Sequence, residues 1–112
     1  MSNQPLEKDL DPTPLVNAII EKTKARRLKW EATASPNTFI TSVGGNTTFK
    51  IYVEEDDMAP TLCWLDEKGK TVSYINHNEV KGGLWPLFHL AHRIGNRLDE
   101  RMETLMEVVR RL

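Results

Sequence analysis

Gly83-Leu84-Trp85-Pro86-Leu87-Phe88-His89-Leu90-Ala91-His92-Arg93-Ile94-Gly95-Asn96-Arg97-Leu98-Asp99-Glu100-Arg101-Met102-Glu103-Thr104-Leu105-Met106-Glu107-Val108-Val109-Arg110-Arg111-Leu112 is the stretch that decides the fold. Leu84, Phe88, Ala91, Gly95, Leu98, Met102, Leu105, Val109 and Leu112 recur at three- and four-residue steps. That period puts one apolar stripe along a helix and leaves polar residues on the opposite side. Pro86 fits only in the first turn, so the helix starts at Gly83 to Trp85. Glycine inside a helix costs about 1 kcal/mol against alanine. The Gly95-Asn96 pair therefore reads in two ways. Either the helix runs on and Gly95 allows a close approach, or it ends there and a second helix folds back. A continuous helix is the expectation.

Upstream, the period shifts. Thr13-Pro14 reads as a helix start with Thr13 as cap, and Leu15, Val16, Ile19, Ile20 and Thr23 carry an amphipathic helix over Thr13 to Arg27. Leu28 to Ala32 alternates as a half-buried strand does. Thr38 to Val43 and Thr47 to Val53 flank Gly44-Gly45-Asn46, a hairpin signal, because these residues accept positive φ. Phe39, Thr41 and Val43 fall on one face, as do Phe49, Ile51 and Val53. Thr61 to Leu65 reads as a central strand and Thr71 to Ile75 as the last, joined by a turn over Asp66 to Lys70 with Gly69 at positive φ. Tight turns make neighbouring strands antiparallel. The expected fold is α+β: an antiparallel meander of four or five strands with an N-terminal helix and a long C-terminal helix on one face. Residues 1–12 read as a flexible arm and 13–112 as a single domain.

Ile19 to Thr23, Leu28 to Glu31, the strands about Gly44-Gly45, Leu65 to Lys70 and Leu84 to Phe88 together resemble a loose group of small uncharacterised bacterial proteins. The resemblance covers roughly residues 15–95. It implies the same fold and a bacterial origin, and no activity.

Composition narrows the function classes. The 112 residues are 39% apolar and 28% charged with a formal charge of −1, which indicates a globular protein without overall attraction to nucleic acid or anionic lipid. One cysteine, Cys63, permits no internal disulfide and suits a reduced cytoplasmic setting. In an apolar strand, with no cation beside it in sequence, it reads as an inert buried hydrophobe. No window nears the ~20 apolar residues of a membrane span.

Several groups offer chemistry. His89 and His92 share a helix side and His77 lies just before it, but a metal site needs a third and fourth ligand and acid–base work needs a partnered nucleophile. Glu54-Glu55-Asp56-Asp57 lacks the spacing and glycine of a calcium loop and reads as a solvated tip, with a further use as a docking surface for a basic partner. No metal, cofactor or catalytic residue is assigned, and the chain is read as non-enzymatic. Lys22, Lys24, Arg26, Arg27 and Lys29 complement the first helix's dipole; they can also contact phosphates, with Trp30 as a stacking platform. Nucleic-acid binding is the alternative function.

The preferred function rests on length. A helix over Leu84 to Leu112 spans about 43 Å, whereas five- or six-residue strands span ~17–20 Å. The sheet is too short to cover the distal stripe. The expected role is a protein–protein interaction module, a homodimer or an accessory subunit, with Trp85, Leu98, Met102, Leu105, Met106, Val109 and Leu112 as the contact.

Overall fold

The computed structural model describes residues 10–112, so most of the expected arm lies outside the described residues. Helix α1 (Thr13–Lys24) leads into β1 (Glu31–Ala32), β2 (Thr38–Val43), β3 (Thr47–Tyr52), β4 (Thr61–Leu65) and β5 (Thr71–Asn76). A single 3₁₀ turn (His77–Glu79) precedes α2 (Trp85–Gly95) and α3 (Leu98–Arg110). The five strands form one antiparallel sheet in sequence order. This is the expected α+β meander. β3 occupies the centre, and β4, expected there, is next to the edge. Only Glu31 and Ala32 of the alternating run at Leu28 join the ladder.

The alternation of polar and apolar residues sets the layers. Phe39 lies opposite Ile51, Ile51 opposite Leu62, and Leu62 opposite Ile75, and all four are buried. This row crosses four strands on the face that receives the helices. Val16 and Ile19 of α1 and Leu87, Phe88 and Ala91 of α2 complete the core. The hairpin between β2 and β3 turns through Gly44 and Gly45 at φ 61° and 86°, a region in which a side chain would clash with its own backbone.

Both ends of α1 differ in detail from expectation. Thr13 is inside the helix, and its N–H donates to the Asp11 carboxylate at 2.9 Å; the Thr13 side chain, and then this N–H, draw the Asp11 pKa below its ordinary value. The Thr13 hydroxyl accepts from the Lys81 N–H at 3.0 Å and so ties the start of α1 to the loop before α2. At the other end the helix stops at Lys24. The Arg27 N–H donates to the Lys22 carbonyl and the Arg26 N–H to the Thr23 carbonyl, the bonding of a Schellman cap.

The expected single C-terminal helix is two. α2 ends at Gly95, and Arg97 stands at φ 54° before α3 begins. The chain does not fold back: no residue of α3 is buried. Gly95 also serves the close approach. A Cβ there would stand 2.6 Å from Phe39 Cδ1 and 3.3 Å from the Ala32 nitrogen. One half of each reading therefore holds: the helix ends at the Gly95-Asn96 pair, though without folding back, and Gly95 allows the close approach, though without a continuous helix.

Replacing Gly95 by alanine tests that contact. Alanine brings at most about 1 kcal/mol of helix propensity, and less at a helix end. Overpacking against the buried Phe39 ring costs about 1–3 kcal/mol. The expected outcome is a net loss of about 1 kcal/mol in a urea unfolding titration. Unchanged or raised stability would refute the close packing.

Candidate functional sites: an uncovered helix and a basic groove

Two surfaces bear on the expected sites. The first is α3. Its apolar residues fall on heptad positions, with Met102 and Val109 at a and Leu98, Leu105 and Leu112 at d. Leu98 is half-buried where the helix leaves the domain; Met102, Leu105, Met106, Val109 and Leu112 are 46% to 96% exposed. Val108, which the stripe alone does not single out, is 53% exposed and widens the seam on its flank. Asp99, Glu100 and Glu103 outnumber Arg101 in the first half of the helix, and Arg110 and Arg111 outnumber Glu107 at its end, so a partial charge split runs along its length. Arg97 pairs with Glu100, and Arg110 and Arg111 with Glu107 at 3.9 and 3.7 Å, all exposed and therefore worth little individually.

Trp85 does not join this surface. It opens α2, about 15 Å along the helix from Gly95. Its ring is half-buried, edge-on to Phe88 at 5.6 Å and stacked on His89 at 5.4 Å. The residues expected to form one contact thus fall at opposite ends of α2.

The second surface is an open groove of about 1140 Å³ between the end of α1, the edge of the sheet and the junction of α2 with α3. One wall carries Lys24, Arg26, Arg27 and Lys29; the opposite wall carries Arg93 and Arg97 with Asp99 and Glu100. Half-buried Leu28, Ile40, Leu90 and Ile94 line its floor. Lys22 of the expected basic cluster is exposed elsewhere on α1 and does not line the groove. Trp30 is only 2% exposed, so its indole is part of the core and offers no stacking platform. Its Nε1–H donates to the Thr23 hydroxyl at 3.0 Å, and that hydroxyl donates to the Ile19 carbonyl at 2.7 Å.

Arg93 and Arg97 are the groove residues that sequence reasoning missed. They lie four apart on what reads as an ordinary polar face. Only tertiary structure sets that face opposite Arg26 and Arg27. Arg93 is held at 2.9 Å by Asp99, across the break between the two helices. Among the described residues the four cations of the α1 wall make no ion pair.

The histidines do not converge. His77 accepts the Leu84 N–H on Nδ1 at 2.8 Å, and a side chain at Gly83 would run into its ring. His92 packs edge-on to Phe39 at 5.6 Å, whereas His89 lies against Trp85. Among the described residues no three histidine, cysteine or acidic side chains are grouped to hold a metal. Glu54 to Asp57 form an exposed turn closed by the Asp57 N–H on the Glu54 carbonyl at 2.9 Å. Among the described residues no helix is long and apolar enough to cross a membrane.

No protein-family model, curated protein or solved structure matches the chain.

Two substitutions test this arrangement. Thr23→Val keeps the volume but strands the buried indole N–H, which should cost about 1–3 kcal/mol in chemical denaturation. No loss would mean that the indole N–H reaches water. Cys63 is fully buried, and burial pushes its thiol pKa up, with Lys50 opposing. A raised pKa means less thiolate at any pH below it, so alkylation of the native protein at pH 8 should run at least about tenfold slower than in denaturant. Equal rates would show that the thiol is accessible.

Proposed function

We propose that the protein is a non-enzymatic interaction module that pairs with a second copy of itself through α3, in a cytoplasmic setting. The observation that carries this reading is that α3 has no buried residue while its apolar side chains keep heptad spacing. A helix of 13 residues is marginal in water without tertiary support. Its own domain supplies none beyond the first turn. A partner that covers Met102, Leu105 and Val109 supplies both the missing burial and the missing helix stability.

A second copy is favoured by the charge split. In an antiparallel pair the acidic start of one α3, with Asp99, Glu100 and Glu103, lies along the basic end of the other, with Arg110 and Arg111. A parallel pair would set like charges together. The same split suits each helix's own dipole, so the helix and the pair are stabilised by one arrangement. With two heptads the seam is short, which places self-association in the roughly micromolar range.

Light scattering at tens of micromolar tests the reading. The expected mass is twice the chain's 12.9 kDa. Leu105→Asp with Val109→Asp should return it to one chain while circular dichroism shows the folded sheet retained, because neither residue touches the core. A native protein with monomer mass would overturn the proposal.

A further inference from the structure

We infer that the basic groove is a docking site for an acidic amphipathic helix of another protein. The first ground is charge. Six cations face three carboxylates in the groove lining, Glu31, Asp99 and Glu100. Asp99 and Glu100 are engaged by Arg93 and Arg97. The surplus sits on the α1 wall.

The second ground is backbone strain. Among the described residues three that are not glycine have positive φ: Arg26 at 62°, Asn37 at 51° and Arg97 at 54°. Asparagine tolerates that region in a turn, but arginine does not favour it. Arg26 and Arg97 each stand just past the end of a helix, where glycine is the usual residue. Each faces this groove, one from either wall. Strain kept at two positions around one groove points to a use for the side chains there. Guanidinium groups bind carboxylates in a fixed two-pronged geometry, which suits a rim of recognition.

The third ground decides the class of partner. The floor is aliphatic, and the one aromatic ring in the lining, Trp30, is buried with its N–H committed. Single-stranded nucleic acid relies on exposed aromatic rings on which bases stack, and this groove offers none. A helix with leucines on one face and carboxylates flanking them matches both floor and rim. The groove is also open at its surface, as a macromolecular segment requires.

In the proposed pair α3 of each copy is covered by α3 of the other, which leaves the groove to a separate segment.

The test uses the Leu105→Asp, Val109→Asp protein, so that α3 cannot act as the receptor and a negative result says nothing about self-association. The probe is a fluorescent helical peptide of about 20 residues with leucines at a and d positions and glutamates on both flanks. Anisotropy should give a dissociation constant at or below about 100 µM at low salt. Arg26→Glu with Arg27→Glu should weaken it at least about tenfold. Arg26→Gly should weaken it several-fold while raising the unfolding temperature, since it removes a side chain and its strain together. No binding up to about 1 mM would overturn the inference. So would equal affinity for a peptide with serine in place of leucine, or tighter binding of a single-stranded oligonucleotide of equal charge. Unchanged binding in Arg26→Gly would remove the argument from strain and with it the assigned rim.

Discussion

The passage of Gly95 over Phe39 is the contact on which the arrangement of this protein depends. Phe39 is the β2 member of the buried row that continues through Ile51, Leu62 and Ile75. Its ring also meets Phe88 and His92 edge-on at 5.8 and 5.6 Å. A residue larger than glycine at position 95 would lift the end of α2 off the sheet edge and open the core beneath Ala91. The same approach brings the backbone against the Ala32 nitrogen in β1, the last strand on that side. Beyond Gly95 there is no sheet left to lie on.

The sheet thus limits how much of the C-terminal apolar stripe can be buried in the domain. α2 uses the sheet-facing part through Leu87, Phe88 and Ala91. α3 continues the pattern on a new axis set by Arg97. Its exposed seam carries an unfavourable hydration cost of about 25 cal/mol for each Å² of apolar surface. Scattered exposed leucines are ordinary on a globular domain, whereas a contiguous exposed apolar face is a surface fit for association. The break at Arg97 points that face away from the domain's own helices.

Much of this was legible in the sequence, and the reasons are physical. Strand faces follow from a period of two, so Phe39, Thr41, Phe49 and Ile51 were placed correctly from alternation alone. Hairpins follow from residues that accept positive φ, as at Gly44, Gly45 and Gly69. The comparison of helix and strand lengths located the limit of the sheet near Gly95. What stayed illegible depended on tertiary packing or on broken local rules. Trp30 serves as a stacking platform only in the nucleic-acid alternative, because it adjoins a basic run, yet Thr23 seven residues earlier provides a buried partner for its N–H. The break in the C-terminal helix was weighed at Gly95-Asn96, but it is realised through an arginine in a conformation that local propensity disfavours. Arg93 and Arg97 looked like solvated polar residues because nothing in their spacing shows what stands opposite them.

The two proposed surfaces are compatible because the break at Arg97 separates them. Arg97 leaves its backbone to turn the chain into α3 and contributes its side chain to the groove, where Glu100 holds it. Arg93 is likewise held by Asp99. These exposed pairs sit at the junction of α2 with α3 and partly neutralise one groove wall without drawing on the cations of the other. In an antiparallel α3 pair, Arg110 and Arg111 of the partner approach Asp99 and Glu100 and compete with Arg93 and Arg97 for them. Any carboxylate so diverted leaves an arginine of the groove less neutralised. Pairing through α3 would therefore raise the positive potential of the groove, and an acidic segment bound there would in turn offset the charge that pairing concentrates. Were both to occur, the two binding events would be coupled in the same direction through these charges, and salt would screen that coupling.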